Sequence, residues 1–413
     1  MFIKVFLSAF LAALTALTSF GLNISIARVS GVDFFANFSF IISLSTIISV
    51  FAALGLNQFL LLRAPVQSKN ELKEDISKVF NTLFIIFIPF TIGITIFLYL
   101  RGDDALTIIA VVAISFALTL LLMFQSIYIS LKKIHSYQIY DKVIRNIFII
   151  LFIFLSSYYI SSYSFSYFII FVSFSYFLSL LILFLKLKGI VCINLKAGRL
   201  KFNQVREFTP LYLVFISVTL IGNLDIIILE YLSDNQGVAI FSASQKVALL
   251  AGFIVNAIAN VLLPYFVKSD HNGDKDSMDK KIRVSTNLGF YSILIFLLVC
   301  YLFGDLLLGV FGDIYTAGYN LLLALVVNSL ISAMYGQTLT LMKVKKEGKL
   351  LARYIIISLS IKLLCIPILF EYYGVLGVVF SSVICTVIWN HASYLYLKRK
   401  HGVDTFIFKW KFS

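Results

Sequence analysis

Apolar stretches long enough to cross a lipid bilayer recur along the whole chain, and this recurrence restricts the fold more than any other feature. Each stretch ends at charged residues, Gly or Pro, and a helix of about 20 apolar residues spans the hydrocarbon core of a membrane. We count twelve stretches, at 2–27, 38–61, 79–100, 105–130, 146–160, 165–186, 210–232, 241–267, 286–304, 319–342, 350–370 and 375–397. The sequence therefore predicts an all-α integral membrane protein with twelve transmembrane helices.

The composition excludes several other classes of protein. Of the 413 residues 60% are hydrophobic and 13% are charged, whereas about a quarter of an ordinary soluble chain is charged. A soluble enzyme of ordinary type, a disordered chain and a secreted disulfide scaffold are therefore excluded. The four cysteines lack metal-ligand or CxxC spacing, and nucleotide-binding and hydrolase motifs are absent from the sequence. We expect no cofactor and no metal site.

The net charge of +14 describes membrane topology rather than nucleic-acid binding. Most of the 34 Lys and Arg residues lie in every second connector and in the tail, and Lys and Arg accumulate on the cytoplasmic side of membrane proteins. The remaining connectors are acidic; they carry Asp33, Asp103, Asp104, Asp234, Asp305, Asp313 and Glu371. This alternation predicts that both termini are cytoplasmic and that nucleic acid is not a partner.

A weak internal repeat divides the predicted helices into two groups of six. Ser30, Phe38 and Asn57 match Ser233, Phe241 and Asn260 when the second half is placed on the first. Because six is even, both groups would run the same way through the membrane, as in transporters with parallel repeats. We predict a six-helix lobe at 1–190, a cytoplasmic linker at 191–209, a second six-helix lobe at 210–397 and a basic tail at 398–413. Two lobes around a central cavity favour transport by alternating access.

Several short segments, in a fixed order, resemble bacterial polysaccharide flippases. They are IARVSG at 26–31, FFANFSF at 34–40, ALGLN at 53–57 followed by Arg63, NLD at 223–225, FSA at 241–243, NAIANVLLP at 256–264, YGVLG at 373–377 and KRKHG at 398–402. The resemblance covers essentially the full length. It is to the O-antigen translocases of the multidrug/oligosaccharidyl-lipid/polysaccharide (MOP) superfamily, and it implies a MATE-like transporter fold.

The resemblance also implies a function, a location and partners. Such proteins move an undecaprenyl-diphosphate-linked oligosaccharide from the cytoplasmic to the periplasmic leaflet of the bacterial inner membrane. The implied partners are this lipid-linked oligosaccharide, membrane lipid, and the polysaccharide polymerase and chain-length proteins. Coupling to protons, sodium or membrane potential stays open, as does the identity of the sugars.

Charged residues inside the predicted spans are candidates for function, because an ionisable group at membrane depth is costly. Lys362 lies about 20 Å beyond Lys349 along its helix, too deep to reach the interface easily. Lys362 either pairs with an acid or a carbonyl of a neighbouring helix or lines the cavity and attracts a diphosphate. Asp225, about 22 Å past Pro210, either pairs with a cation or takes up a proton during transport.

Other site candidates lie near the ends of spans or on one helical stripe. Arg28 and Lys246 are candidates for substrate contact, and Arg63 is a candidate for gating. Arg28 is otherwise an interfacial anchor. Asn256 and Asn260, four residues apart on one face, suit sugar hydroxyls if that face is wet, or else pack against another helix.

Three alternative functions remain open at the level of sequence. A drug/cation antiporter of the same superfamily needs intramembrane acids to hold a cation, and Lys362 has the opposite charge. A membrane-embedded polysaccharide polymerase or ligase, which is an enzyme, normally needs a large periplasmic loop, and the predicted periplasmic loops are short. A structural scaffold would leave Lys362 and Asp225 unexplained.

Overall fold

The computed structural model describes residues 2–63, 69–131, 133–159, 164–188, 194, 198–200, 206, 208–271 and 274–407. Every regular element in these residues is a helix. The α-helices are α1 Phe2–Ser25, α2 Val32–Ala53, α3 Leu56–Arg63, α4 Lys69–Arg101, α5 Ala105–Ser130, α6 Ile134–Tyr137, α7 Arg145–Tyr159, α8 Phe165–Lys186, α9 Thr209–Leu232, α10 Asn235–His271, α11 Lys275–Gly309, α12 Tyr319–Met334, α13 Thr338–Val344, α14 Gly348–Tyr373 and α15 Val375–His401. Two π-helical turns, Ile26–Ser30 and Gln138–Ile144, and a 3₁₀ turn at Asp313–Gly318 connect some of them.

The chain is a multi-pass integral membrane protein. Within the described residues, nine helices are long and apolar enough to cross a bilayer. The prediction of twelve spans is not confirmed, because α1, α7 and α10 are not among the nine. Helix α7 has 15 residues, fewer than the roughly 20 that cross the hydrocarbon core without tilt or thinning.

Two predicted spans that read as continuous apolar runs are each broken into two helices. The run 38–61 stops at Leu54 and Gly55, whose φ angles are 41° and 81°, and resumes as α3. The run 319–342 stops at Gly336, whose φ is 66°, and resumes as α13. A residue in the left-handed region ends an α-helix, and glycine adopts that region at little cost. Hydrophobicity alone therefore predicts the span but not its interruption.

The contacts between helices divide the chain into two compact units, 1–223 and 224–413. In the first unit α5 is central and packs against α2, α3, α4 and α8, while α1 packs against α7 and the second π turn. Buried Ser115, Ala117 and Thr119 lie on α5. Small side chains let transmembrane helices approach closely, which explains how α5 can contact four others.

In the second unit α10, α11 and α12 pack against one another, and α14 packs along α15, which also contacts α12. The turn between α14 and α15 is tight: Gly374 has φ 54°, and a Cβ atom at Gly377 would lie 2.1 Å from the carbonyl oxygen of Leu369. Only glycine permits that approach. This hairpin aligns α14 and α15, two of the three helices that contribute residues to the candidate site described below.

Candidate functional site

Lys362 and Asp225 form a buried ion pair in the second unit. The Lys362 Nζ lies 2.5 Å from the Asp225 Oδ1, and the exposed fractions of the two side chains are 1% and 5%. The Ser382 hydroxyl donates to the other carboxylate oxygen, Oδ2, at 2.9 Å. The three residues come from α14, α9 and α15. The structure thus brings together two residues that the sequence singled out separately.

The burial pattern of α14 explains why Lys362 points into the protein. Ile355, Ser358, Leu359, Lys362 and Ile366 recur at helical spacing and are buried. The next residues, Leu363 and Leu364, are exposed on the outer surface, where lipid would lie. The lysine therefore occupies a position of the inner stripe that an apolar residue would usually fill, and Asp225 supplies the opposite charge.

The electrostatic consequence is that neither charge of this pair can be removed cheaply by itself. Burying a single ion costs several kcal/mol, and loss of one partner from a buried pair costs about 3–5 kcal/mol. Apart from its ion pair with Asp225, the Lys362 ammonium makes no hydrogen bond among the described residues. Since an ammonium has three N–H donors, Asp225 does not use all of the donors of Lys362.

Arg28 occupies the π-helical turn Ile26–Ser30, at the end of α1. Its side chain is exposed, and the turn ends at Gly31, whose φ is 90°. A π turn inserts an extra residue into the helix and is frequently found at functional sites. The sequence motif that suggested a role for Arg28 therefore coincides with an irregular backbone segment.

Lys246 and Arg63 occupy different environments. Lys246 is half-buried on α10 and has no hydrogen-bond or ion-pair partner in the part of the chain that the structure describes. Arg63, the last residue of α3, lies 3.8 Å from Asp75 and stacks over the ring of Phe59, with 46% of its side chain exposed. Arg63 thus forms a partly exposed ion pair at the end of its helix, whereas Lys246 has no counter-charge among the described residues.

Asn256 and Asn260 belong to α10, as predicted. Their side chains lie outside the described residues, so the predicted amide stripe stays a prediction. The sequence led us to expect no metal site. In the described residues we find no group of three or more His, Cys, Asp or Glu side chains that could hold a metal ion.

A second buried charge cluster lies in the first unit, and the sequence interpretation missed it. Asp141, in the π turn Gln138–Ile144, is 1% exposed and pairs with Arg145 four residues later, Oδ1 to Nη1 at 2.5 Å. Lys142 lies 3.6 Å from the other oxygen. The Ser179 hydroxyl of α8 donates to Asp141 at 3.4 Å, and the Arg145 guanidinium stacks 4.0 Å over the Tyr176 ring.

The signal for this cluster was present in the sequence. An acid and an arginine four residues apart face each other on a helix. The spacing alone does not show that Asp141 and Arg145 are buried against Tyr176 and Ser179 of α8.

The surroundings of Asp141 keep it ionised. Burial alone would raise the pKa of its carboxyl, but Arg145 and Lys142 lie so close that the net direction is downward. Burial, and then the nearby carboxylate, raise the pKa of Tyr137, which keeps the phenol neutral and hydrogen-bonded to Asp141. The cluster is therefore an internal salt bridge in which two cations and one hydroxyl contact the Asp141 carboxylate.

Comparison with known proteins supports a transporter fold. Lipid II flippase MurJ in an inward closed conformation matches with a TM-score of 0.74 at 16% identity, over 96% of this chain and 88% of that one. An inward-facing multidrug resistance MATE family transporter of the MOP superfamily matches with a TM-score of 0.71 at 14% identity, over 92% and 93% of the two chains. An outward-facing MATE transporter gives 0.64 at 14% identity, over 95% and 94%. At such identities the likeness establishes the fold alone.

Comparison of the sequence with protein-family models identifies the family, although no individual curated protein matches the chain. The model of the family described as polysaccharide biosynthesis protein matches residues 3–270, which is more than half of the chain. This confirms the family that the short motifs suggested, with the fold expected of a MOP transporter. The chain belongs to the polysaccharide biosynthesis protein family.

Proposed function

We propose that this protein is a flippase for undecaprenyl-diphosphate-linked repeat units of O-antigen or a similar polysaccharide, and that it carries them from the cytoplasmic to the periplasmic leaflet by alternating access. The observation that carries the proposal is the Lys362–Asp225 pair, a cation and an acid kept at membrane depth in a chain of the polysaccharide biosynthesis family. A helix contact with a purely structural role costs less desolvation free energy when apolar residues form it.

The proposed mechanism uses the pair as a two-state element. With the site empty, Asp225 neutralises Lys362. An arriving diphosphate competes for the ammonium, since phosphate oxygens are strong acceptors for charged donors. Asp225, released from the pair, keeps the hydrogen bond from Ser382 and either takes up a proton or pairs with another cation, and the resulting change in local charge biases the lobes toward the other leaflet. The proposal leaves the coupling ion open.

Arg28, Lys246, Asn256 and Asn260 complete the proposed substrate contacts, and Arg63 is proposed as a gating residue. Lys246 supports this role because its charge is not neutralised within the described residues. The polyprenyl tail would remain in lipid while the diphosphate and sugars pass through the protein. Both termini, including the basic tail at 398–413, are proposed to be cytoplasmic, with lobes at 1–190 and 210–397 and a linker at 191–209.

The alternative of a drug/cation antiporter is less favoured. A cationic drug needs an acid whose charge is available, and the Asp225 charge is already matched by Lys362. A polymerase or ligase is disfavoured by connectors as short as 102–104, 233–234 and Gly374 on the acidic side of the membrane. Each offers little room for an extramembrane catalytic site.

Complementation tests the proposed function. Deleting the gene should cause lipid-linked repeat units to accumulate on the cytoplasmic leaflet, and restoring it should clear them and restore surface polysaccharide. Lys362→Ala and Arg28→Ala should both lower the surface polysaccharide formed per amount of membrane-inserted protein. Lys349→Ala, which removes an exposed cation from the first turn of α14, is the matched control and should behave as wild type. Unchanged polymer in both test variants would remove the proposed cation site.

A further inference from the structure

A cavity lies in the second unit, at the end of α15 that carries the basic residues, and its lining does not include Lys362 or Asp225. Its volume is about 700 Å³. Four rings line it: Tyr335 lies 5.3 Å from Phe406, 6.0 Å from His391 and 6.3 Å from Tyr394, centroid to centroid. This is the size of pocket that holds a compact organic ligand.

The cavity is formed partly by the C-terminal segment that follows α15. Helix α15 ends at Gly402, which has a left-handed conformation, and the chain then folds back. Ile407 donates its backbone N–H to the Met334 carbonyl at 2.9 Å, and Thr286 donates to the Thr405 carbonyl at 3.2 Å. These bonds hold Phe406 against Tyr335 and Tyr394, so the segment forms a fixed wall.

Positive charge borders the aromatic walls. Lys398 and Arg399 both line the cavity. Lys398 is partly occupied, since its Nζ lies 3.2 Å from Asp404 and donates to the Tyr394 hydroxyl at 3.0 Å. Arg399 is exposed and has no ion-pair or hydrogen-bond partner in the described residues. The guanidinium therefore supplies an unmatched charge with several donors, the geometry that suits a phosphate.

We infer that this cavity binds a membrane phospholipid with an anionic headgroup, its phosphate at Arg399 and the upper part of an acyl chain against Tyr335, Tyr394 and Phe406. Rings with an apolar body and a polar tip belong at the level of the headgroups, and basic pockets between transmembrane helices bind anionic lipids. A soluble anion would use the arginine but would leave the aromatic walls uncovered. The inference does not depend on the proposed transport activity.

Photocrosslinking tests the site directly. The full-length protein is placed in phosphatidylcholine nanodiscs with a small fraction of phosphatidylglycerol that carries a diazirine in its acyl chain, and labelled peptides are mapped after irradiation. Label is expected on peptides that contain Tyr335, His391–Arg399 or Phe406. Arg399→Gln should lower this labelling roughly fivefold, since one basic contact to an anionic headgroup is lost. Lys349→Gln, at an exposed position outside the cavity, should leave it unchanged.

Four further arms separate the phospholipid from other ligands, and in one of them a phosphatidylcholine probe replaces the phosphatidylglycerol probe and should label the cavity less strongly. Leu395→Trp narrows the cavity without changing its charge and should also lower labelling. Millimolar inorganic phosphate, and undecaprenyl phosphate at the same mole fraction as the probe, should not displace the label. The inference is overturned if Arg399→Gln labels as wild type, if Lys349→Gln loses label equally, if a phosphatidylcholine probe labels the cavity as strongly, or if either competitor removes the label.

Discussion

Lys362 on α14 and Asp225 on α9 meet at 2.5 Å in the interior of the second unit, where both side chains are buried and each neutralises the charge of the other. The two residues are distant in sequence and lie on helices that are not neighbours along the chain. Their meeting converts two costly intramembrane charges into one element whose state depends on both.

Removing one member of this pair should cost more than removing both. Lys362→Met leaves the Asp225 carboxylate buried without its counter-charge and should destabilise the protein by about 3 kcal/mol. The double variant Lys362→Met/Asp225→Leu should recover most of that loss, since Ser382 still donates to the Val378 carbonyl at 3.1 Å. The effect is measured by heating the protein in detergent and then using fluorescence-detected size-exclusion chromatography to determine the fraction that is still folded. Equal stability of the single variant and wild type would contradict the ion pair.

The double variant also separates stability from transport. It should be folded but inactive in complementation, because it lacks the cation proposed to meet the diphosphate. If it restores surface polysaccharide to the wild-type level, the pair is structural only.

Ser382→Ala tests the third member of the site. Its hydroxyl donates to the Asp225 carboxylate, and a hydrogen bond to a charged group contributes about 1.5–3 kcal/mol. Ser381→Ala is a close control, because the neighbouring serine is also buried but donates only to the Val378 carbonyl of its own helix. We expect thermal stability to fall clearly in the first variant and slightly in the second. A larger loss at Ser381 would show that packing, and not the bond to Asp225, matters here.

The helix positions could be predicted from the sequence, and the pairing could not. Long apolar runs determine where helices lie, because a bilayer requires such runs and each run is local. The contact between Asp225 and Lys362 depends on how α9, α14 and α15 pack, and no local pattern describes that packing. The break at Leu54 and Gly55 and the π turn around Asp141 are backbone irregularities inside otherwise regular apolar or mixed segments, so hydropathy did not reveal them.

Asp141 should contribute stability that depends on pH. Its pKa is lowered in the folded protein, so its contribution is present above the unfolded value of about 3.9 and is lost as pH falls through the folded pKa. Wild type should therefore lose thermal stability as the pH falls below about 4. Asp141→Asn should lose less stability over this range, and at pH 7 it should be less stable than wild type. Glu74→Gln, which removes the carboxylate of a largely exposed pair with Lys78, is the control and should change little. Parallel pH curves for wild type and Asp141→Asn would contradict the assignment.

A lysine at position 145 should not restore the full stability that Arg145 gives to the Asp141 cluster. A lysine retains the charge toward Asp141 but loses the planar group that stacks over Tyr176. We expect a loss of about 1 kcal/mol, within the range for a cation–π contact. Thermal unfolding of Arg145→Lys, Tyr176→Leu and the double variant measures this loss. The losses of the two single variants should not add in the double variant, since both remove the same contact. Full additivity would show that the stacking is energetically silent.

Gly377→Ala should disrupt the hairpin that carries the Lys362 site. A Cβ there would lie 2.1 Å from the Leu369 carbonyl oxygen, so α14 and α15 would have to separate. Gly93→Ala is the control, because a Cβ at Gly93 would meet nothing within 4 Å. We expect Gly377→Ala to lower both the folded yield and the thermal stability and Gly93→Ala to leave both near wild type. Normal yield and stability of Gly377→Ala would place the two helices farther apart than described.

We propose that this protein moves a lipid-linked diphosphate oligosaccharide across the membrane with the help of Lys362. Purified protein in liposomes that contain the fluorescently tagged lipid-linked repeat unit measures this directly, through the fraction of tag that a membrane-impermeant quencher reaches over time. Wild type and Lys349→Ala should equilibrate the tagged lipid between the leaflets. Lys362→Ala, compared with wild type at equal amounts of inserted protein, should be slower by about tenfold or more, and so should the more stable double variant Lys362→Met/Asp225→Leu. Equal rates for Lys362→Ala and wild type, or no movement above protein-free liposomes, would contradict the claim.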